Sequence, residues 1–276
     1  MKKKEIKIAI IDLYNNEVNE GIRCINEIVS DAVKKNNTAK ISSRRFETRY
    51  KDEVPDSSYD IFISSGGPGS PFDGVNQKWD ADYFKMLDEI WNYNQHEKEN
   101  KKYIFFICHS FQMMARFFKF ADVTERYEKS FGVLPFVRTN EGKKDFILSG
   151  LVDPFYAADF RQFQVVQPDK KIIDELGAKI LSTEIDDHVH ESAVMAVRIS
   201  DEIAGTQFHP EADPSSMLFH LKQEERKKHV VEKFGEAKYH QMISLLEEPD
   251  KIKLTRETVL PAFLNSAIEK LNFIRT

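Results

Sequence analysis

Two cysteines, Cys24 and Cys108, are all that 276 residues contain. That is too few for a disulfide framework. An excess of basic charge is missing too: 40 Lys and Arg stand against 45 Asp and Glu, a formal charge of −5. A nucleic-acid partner would find no cationic surplus for its phosphates, and short pairs such as Lys101-Lys102 and Lys143-Lys144 read as solvated turn edges. No stretch approaches the roughly 20 apolar residues of a membrane span. The opening MKKK is followed by EIKIAIIDLY, but Glu5, Lys7 and Asp12 interrupt that run, so it does not form the apolar centre of a secretory leader. Neither an internal repeat nor a low-complexity linker is visible. These absences predict a cytoplasmic protein with no nucleic-acid and no membrane partner.

What is present is a hydrophobic content of 41%, ordinary for a globular protein of this length. Residues 6–12, IKIAIID, form a β-branched run that reads as a buried strand. Residues 19–34 carry Ile22, Ile25, Ile28, Val29 and Ala32 near helical spacing. A weaker strand, AKISSRRFE, comes next, then a strand over 59–64, a helix over 80–95, a strand over 103–107 and a helix over 110–120. Alternation of this kind predicts an α/β fold with a parallel sheet covered by helices on both faces. From 131 to 166 the pattern is β-rich, and KIIDELGAKILS reads as a short helix and a strand. Residues 192–199 and 203–208 read as a hairpin. Helical periodicity returns in three blocks, 215–225, 227–247 and 255–272.

Three motifs carry chemistry. In YIFFICHSFQ, Cys108 falls where a strand passes into a helix. The stretch admits two readings, a buried thiol or a nucleophile. A thiol on such a turn sits at the positive end of a helix dipole, which favours the thiolate, and the N–H groups of His109 and Ser110 would face an oxyanion formed there. In GTQFHPEAD, His209 and Glu211 flank Pro210. A catalytic histidine needs a carboxylate to fix its tautomer, although a hairpin end with a surface His and Glu is the plainer reading. In SSGGPGSP, paired glycines after a strand let the backbone approach a substrate closely. This loop is neither a Walker A loop nor GxGxxG.

Taken in this order, the three motifs resemble the class I (triad) glutamine amidotransferase family, over about Ile6 to Glu211. The resemblance implies a flavodoxin-like three-layer α/β sandwich with a mostly parallel central sheet. It implies a Cys108, His209, Glu211 triad in which Cys108 attacks the γ-carboxamide of glutamine or a γ-glutamyl compound, releasing ammonia. Gly67 and His109 would supply oxyanion N–H donors, and Gly66 and Gln112 would line the substrate pocket. No cofactor and no metal are expected. We read residues 1–213 as the amidotransferase-like domain and 214–276 as a helical C-terminal extension, structural in role, whose apolar stripe packs on the domain or in a homodimer.

The chain departs from the family pattern twice. Its elbow reads F-I-C-H-S-F-Q where the family has G-x-C-x-G-x-Q, so Phe106 and Ser110 replace small residues that let strand and helix approach. Where free-standing members carry an H-G-D-like stretch, Arg161-Gln162-Phe163 stands instead. Arg161 then either binds a substrate carboxylate or is a solvated strand residue, and the acidic group suited to an ammonium is lost. A competing constellation, His188 and His190 flanked by Asp186, Asp187 and Glu191, has strand spacing suited to a shared metal. Two alternatives follow: a binding or regulatory protein that has lost turnover, or a glutaminase subunit serving a separate synthetase. The S-G-G-x-D-S nucleotide loop of GMP synthetase is absent, so any ammonia acceptor is expected on another chain.

Overall fold

Strand β4 (Tyr103–Ile107) is buried at every position, as required of a parallel strand covered on both faces. It lies near the middle of a nine-stranded sheet, which the computed structural model describes within residues 5–36, 39–185, 191–248 and 251–273. In chain order the elements are β1 (Glu5–Asp12), α1 (Gly21–Lys35), β2 (Lys40–Glu47), α2 (Thr48–Lys51), β3 (Ile61–Ser64), α3 (Lys78–His96), β4 and α4 (His109–Phe118). There follow β5 (Asp122–Arg138), α5 (Asn140–Lys144), β6 (Phe155–Val166), α6 (Lys170–Leu176), β7 (Lys179–Glu184), β8 (Val194–Arg198) and β9 (Ile203–Thr206). The chain closes with α7 (Pro214–Leu221), α8 (Glu224–Phe234), α9 (Glu236–Glu247) and α10 (Ile252–Phe273).

The strand order is β2-β1-β3-β4-β9-β8-β7-β5-β6. From β2 to β9 the pairs are parallel, and from β9 to β6 antiparallel. The α/β sandwich is thus a mixed sheet whose parallel half carries the expected elbow. The alternation within β4 sorts its side chains into two layers. Tyr103, Phe105 and Ile107 join a core with α1 and α10, whereas Ile104 and Phe106 join one with α3 and α4.

Helix α10 supplies Val259, Leu260, Phe263, Leu264, Ala267 and Leu271 to the first of these cores. Its stripe is therefore covered by the chain's own sheet. Helices α7 to α9 build a third cluster on β5 and β6, around Leu221, Val230, Tyr239 and Met242. The sequence predicts a single helix over 227–247, but Gly235, at φ +85, breaks it into α8 and α9. Asp213 caps α7 by accepting from the Ser215 and Ser216 N–H groups, both at 3.2 Å. β5 begins nine residues before the predicted strand at 131, because the polar run from Asp122 pairs with β6 across a bulge between Glu125 and Ser130.

Candidate active site

Cys108 leaves β4 with φ +51 and ψ −101, a conformation rare outside glycine. Its neighbours hold it there. The Cys108 N–H donates to the Thr206 carbonyl at 2.8 Å, and the Gln112 N–H donates to the Cys108 carbonyl at 3.1 Å. The Ser110 hydroxyl accepts from the Ile107 N–H at 2.8 Å and donates to the Ser64 carbonyl at 2.8 Å. Serine at this position therefore ties the elbow to the end of β3, a link glycine could not make.

Phe106 is fully buried, and the space for it comes from the adjoining strand. Its register partner is Gly205 of β9. A Cβ at Gly205 would fall 2.9 Å from both the Cβ and the carbonyl oxygen of Phe106, and 3.0 Å from Phe111. The small residue that the elbow requires stands on β9 instead of β4.

His209 follows the end of β9 and is fixed by its N–H, which donates to the Ala158 carbonyl at 2.9 Å. Its Nδ1 lies 2.8 Å from Glu211 Oε1. A carboxylate can only accept, so Nδ1 carries a proton toward Glu211 and Nε2 is the nitrogen left to exchange a proton with the Cys108 thiol. Burial opposes charge on this ring, yet the Glu211 carboxylate and the Cys108 sulfur outweigh it and raise the His209 pKa well above 6.5. Glu211 is itself buried. Arg256 of α10 donates to the Glu211 main-chain carbonyl and to the Glu27 carboxylate at 2.8 Å.

The glycine loop lies against this pair. A Cβ at Gly66 would come within 2.8 Å of His209 Cε1, 3.1 Å of the Tyr14 hydroxyl and 3.6 Å of Cys108 Cβ. One at Gly67 would strike the Leu13 carbonyl oxygen at 2.5 Å. At both positions only hydrogen fits, and the loop backbone stays close to the thiol. Opposite it, the His109 N–H belongs to the first turn of α4, where no helical carbonyl precedes it. The His109 ring is buried with neither nitrogen partnered. Burial, with Arg49 and Arg116 nearby, drives its pKa down to about 3, so it is neutral near pH 7.

A cavity of about 250 Å³ opens from Cys108, lined by Gly67, His109, Gln112, Arg161, Phe131 and Phe160 among others. The Gln112 side-chain amide donates to the Phe163 carbonyl at 3.1 Å and to Gln207 Oε1 at 3.2 Å, so β6 and the run after β9 are joined beneath it. Arg161 is not a solvated strand residue. It is 4% exposed, donates from Nε to Asp159 Oδ2 at 2.9 Å and from Nη2 to Glu184, and keeps Nη1 unpartnered. The buried Asp159 carboxylate stands beside Arg161 and accepts from the Ser130 hydroxyl at 2.5 Å, without lining the cavity. Glu191 lies elsewhere, 3.3 Å from Gln167. The metal reading of Asp186, Asp187, His188 and His190 falls outside the described residues, and among the described residues no group of three or more such side chains could hold a metal ion.

Several site residues escape a reading of the sequence. Tyr14 follows β1 in a loop with no motif. Arg256 sits amid a helix read as structural. His229, Lys233 and Phe234 of α8 line the Cys108 cavity from the C-terminal extension, which therefore contributes to the site as well as to packing. Asp159, which pairs with Arg161 from outside the cavity lining, left a signal as an acid two residues away and hence on the same face of a strand.

A thiol raised on an elbow, a histidine braced by a carboxylate and N–H groups converging from two loops suit one class of chemistry, acyl transfer from an amide to sulfur. The glutamine amidotransferase class-I family model matches residues 17–227, and the chain belongs to that family, whose general chemistry is hydrolysis of the glutamine amide. No curated protein matches the sequence. Among solved structures, a glutamine amidotransferase from Thermotoga maritima is similar over 96% of this chain and 98% of its own, at 15% identity and a TM-score of 0.65. A glutamine amidotransferase from Methylobacillus flagellatus is similar over 99% of this chain and 94% of its own, at 14% identity and a TM-score of 0.57. A Thermoplasma acidophilum structure described as a GMP synthase subunit covers 75% of this chain and 85% of its own, at 16% identity and a TM-score of 0.51. Identities this low show the shared fold.

Proposed function

We propose that the chain hydrolyses the γ-carboxamide of glutamine or of a γ-glutamyl compound through Cys108, His209 and Glu211. The observation that carries this reading is His209, bonded through Nδ1 to Glu211 at 2.8 Å, with Cys108 raised on the strand-to-helix turn and both side chains against Gly66. Cys108 Sγ attacks the amide carbon as the thiolate, its proton held on His209 Nε2. The oxyanion is met by the N–H groups of His109 and Gly67. His209 then protonates the departing nitrogen, the C–N bond breaks, and a γ-glutamyl thioester remains on Cys108. Water, deprotonated by His209, releases glutamate and restores the thiol.

Arg161 Nη1 receives the substrate α-carboxylate, and Gln112 with Gly66 shapes the wall beside it. Neither cofactor nor metal takes part in this scheme. Two free thiols, and the absence among the described residues of any helix long and apolar enough to cross a membrane, accord with work in the cytoplasm. A second reading, a glutaminase subunit for a separate synthetase, is favoured by the likeness to the GMP synthase subunit. The test is ammonia release from glutamine and a panel of γ-glutamyl amides by wild-type protein and by Cys108→Ala. Cys108-dependent release supports the proposal, and undiminished release from the variant rejects it.

A further inference from the structure

A second cavity, of about 500 Å³, lies on the other side of the catalytic pair. It shares Phe131, Phe160 and His229 with the Cys108 cavity. Cys108 lines the smaller space, whereas His209 and Glu211 line the larger. We propose that this larger chamber seats the amine half of the substrate, and that the preferred substrate is a γ-glutamyl amide whose nitrogen carries an apolar alkyl or aryl group. The proposal rests on the reading of Cys108 as the nucleophile.

The chemistry fixes which half goes where. The acyl carbon bonds to Cys108 Sγ, so the glutamyl half lies on the thiol side. The proton that His209 took from the thiol is delivered to the amide nitrogen as the C–N bond breaks, so that nitrogen faces His209. Whatever the nitrogen carries extends past His209 and leaves as the free amine, RNH₂. Water then cleaves the thioester to glutamate and thiol, with no other reactant needed.

Ammonia takes roughly the room of one water molecule, about 30 Å³. The chamber is far larger and falls within the range of small-molecule sites. Its walls include Met217, Leu221, Val230 and Met242. Of its three acids, Asp213 bonds Arg23 at 3.2 Å, Glu20 pairs with the same arginine at 2.5 Å, and Glu211 is bonded to His209 at 2.8 Å. With each acid already holding a base, and with His220, Arg226 and His229 also on the wall, the lining favours an apolar body over a second cation. Each methylene buried there is worth about fourfold in affinity.

The test compares L-glutamine with γ-glutamyl-benzylamide, by kcat/KM in the wild-type protein and by calorimetric binding in Cys108→Ala. The expected result is at least a tenfold preference for the benzylamide in both measurements. Met217→Trp, which fills the chamber, is expected to cut that preference at least fivefold, and Val18→Trp, at an exposed position on the chamber wall, cuts it without risk to the fold. Equal or better use of glutamine, or a preference unchanged in both variants, overturns the proposal. Cys108-dependent glutamine turnover without the preference rejects the chamber and leaves the site reading standing; benzylamide turnover that survives Cys108→Ala rejects the site reading itself. If wild-type protein turns over neither compound, the binding preference in Cys108→Ala and its loss in the two tryptophan variants decide for or against the chamber.

Discussion

The parallel half of the sheet and the antiparallel half serve the site in different ways. From β1, β3, β4 and β9 come the elbow, the glycine loop and His209, and nearly every one of these contributions is a matter of backbone path. Cys108 depends on its φ of +51, Gly66 and Gly67 on having no Cβ, and Phe106 on Gly205 across the ladder. From β5, β6, β7 and the helices that lean on them come Arg161, Asp159, Glu184, Phe131 and the α8 residues, which act through side chains. Chemistry at the thiol tolerates errors of well under an ångström, so rigid backbone is suited to hold it. Recognition of the rest of a substrate is a matter of side-chain shape and charge, and the peripheral half can vary there without disturbing the elbow.

Substitutions on the two sides should therefore fail differently. The largest effect is expected from His209→Asn, which removes the proton carrier. Its kcat should fall by about 10²–10⁴-fold with KM within a few-fold of wild type, measured by steady-state ammonia release. A fall confined to KM would place His209 with the recognition groups.

Gly205→Ala should cost stability more than specificity. The added Cβ meets Phe106 backbone and side chain at 2.9 Å, and overpacking of this kind costs about 1–3 kcal/mol. Chemical denaturation measures it. The double variant with Phe106→Gly should recover only the side-chain share, since the clash with the Phe106 carbonyl remains. Additive losses in the two variants would show that Phe106 and Gly205 are not coupled.

On the antiparallel side, Arg161→Lys keeps the charge but loses the fork that spans Asp159, Glu184 and the cavity. KM should rise about tenfold, near 1.4 kcal/mol, with a smaller change in kcat. An unchanged KM would remove Arg161 from substrate binding.

The smallest effect near neutrality concerns His109. Its folded pKa of about 3 lies below the unfolded 6.5, so the unfolded chain binds the extra proton as pH falls. The stability held above pH 6.5 is lost on going down from there toward 3, by about 1 kcal/mol at pH 6 and then about 1.4 kcal/mol per pH unit. His209, with its pKa raised, has the opposite sign: its contribution is full below 6.5 and fades as pH rises through the folded value. Denaturation midpoints of wild type and His109→Leu from pH 7 to pH 4.5 should diverge in this sense. Parallel curves would show that the His109 ring is charged or solvated in the folded state.

The same division explains what could be read from residues alone. Cys108, His209, Glu211 and the glycine loop were legible because each is bound to a strand end by short-range chemistry, and the strands themselves announce their period. Gly205 was visible as a letter but not as the partner of Phe106, since strand register across about a hundred residues is set by the whole sheet. Asp159 and Arg161 were legible as charges and not as a buried pair. Arg256 and the α8 side chains reach the site only because Gly235 turns α9 back against α8 and because α10 packs on β4. No local pattern encodes that docking.

The central claim is that the acyl half of the substrate is carried on Cys108. Rapid acid quenching during turnover of a γ-glutamyl amide, followed by peptide mass spectrometry, tests it most directly. The account predicts a γ-glutamyl group on the peptide containing Cys108, absent from Cys108→Ala and absent from the peptide containing Cys24. A γ-glutamyl group on Cys24, or full turnover by Cys108→Ala with no adduct on any residue, would contradict it.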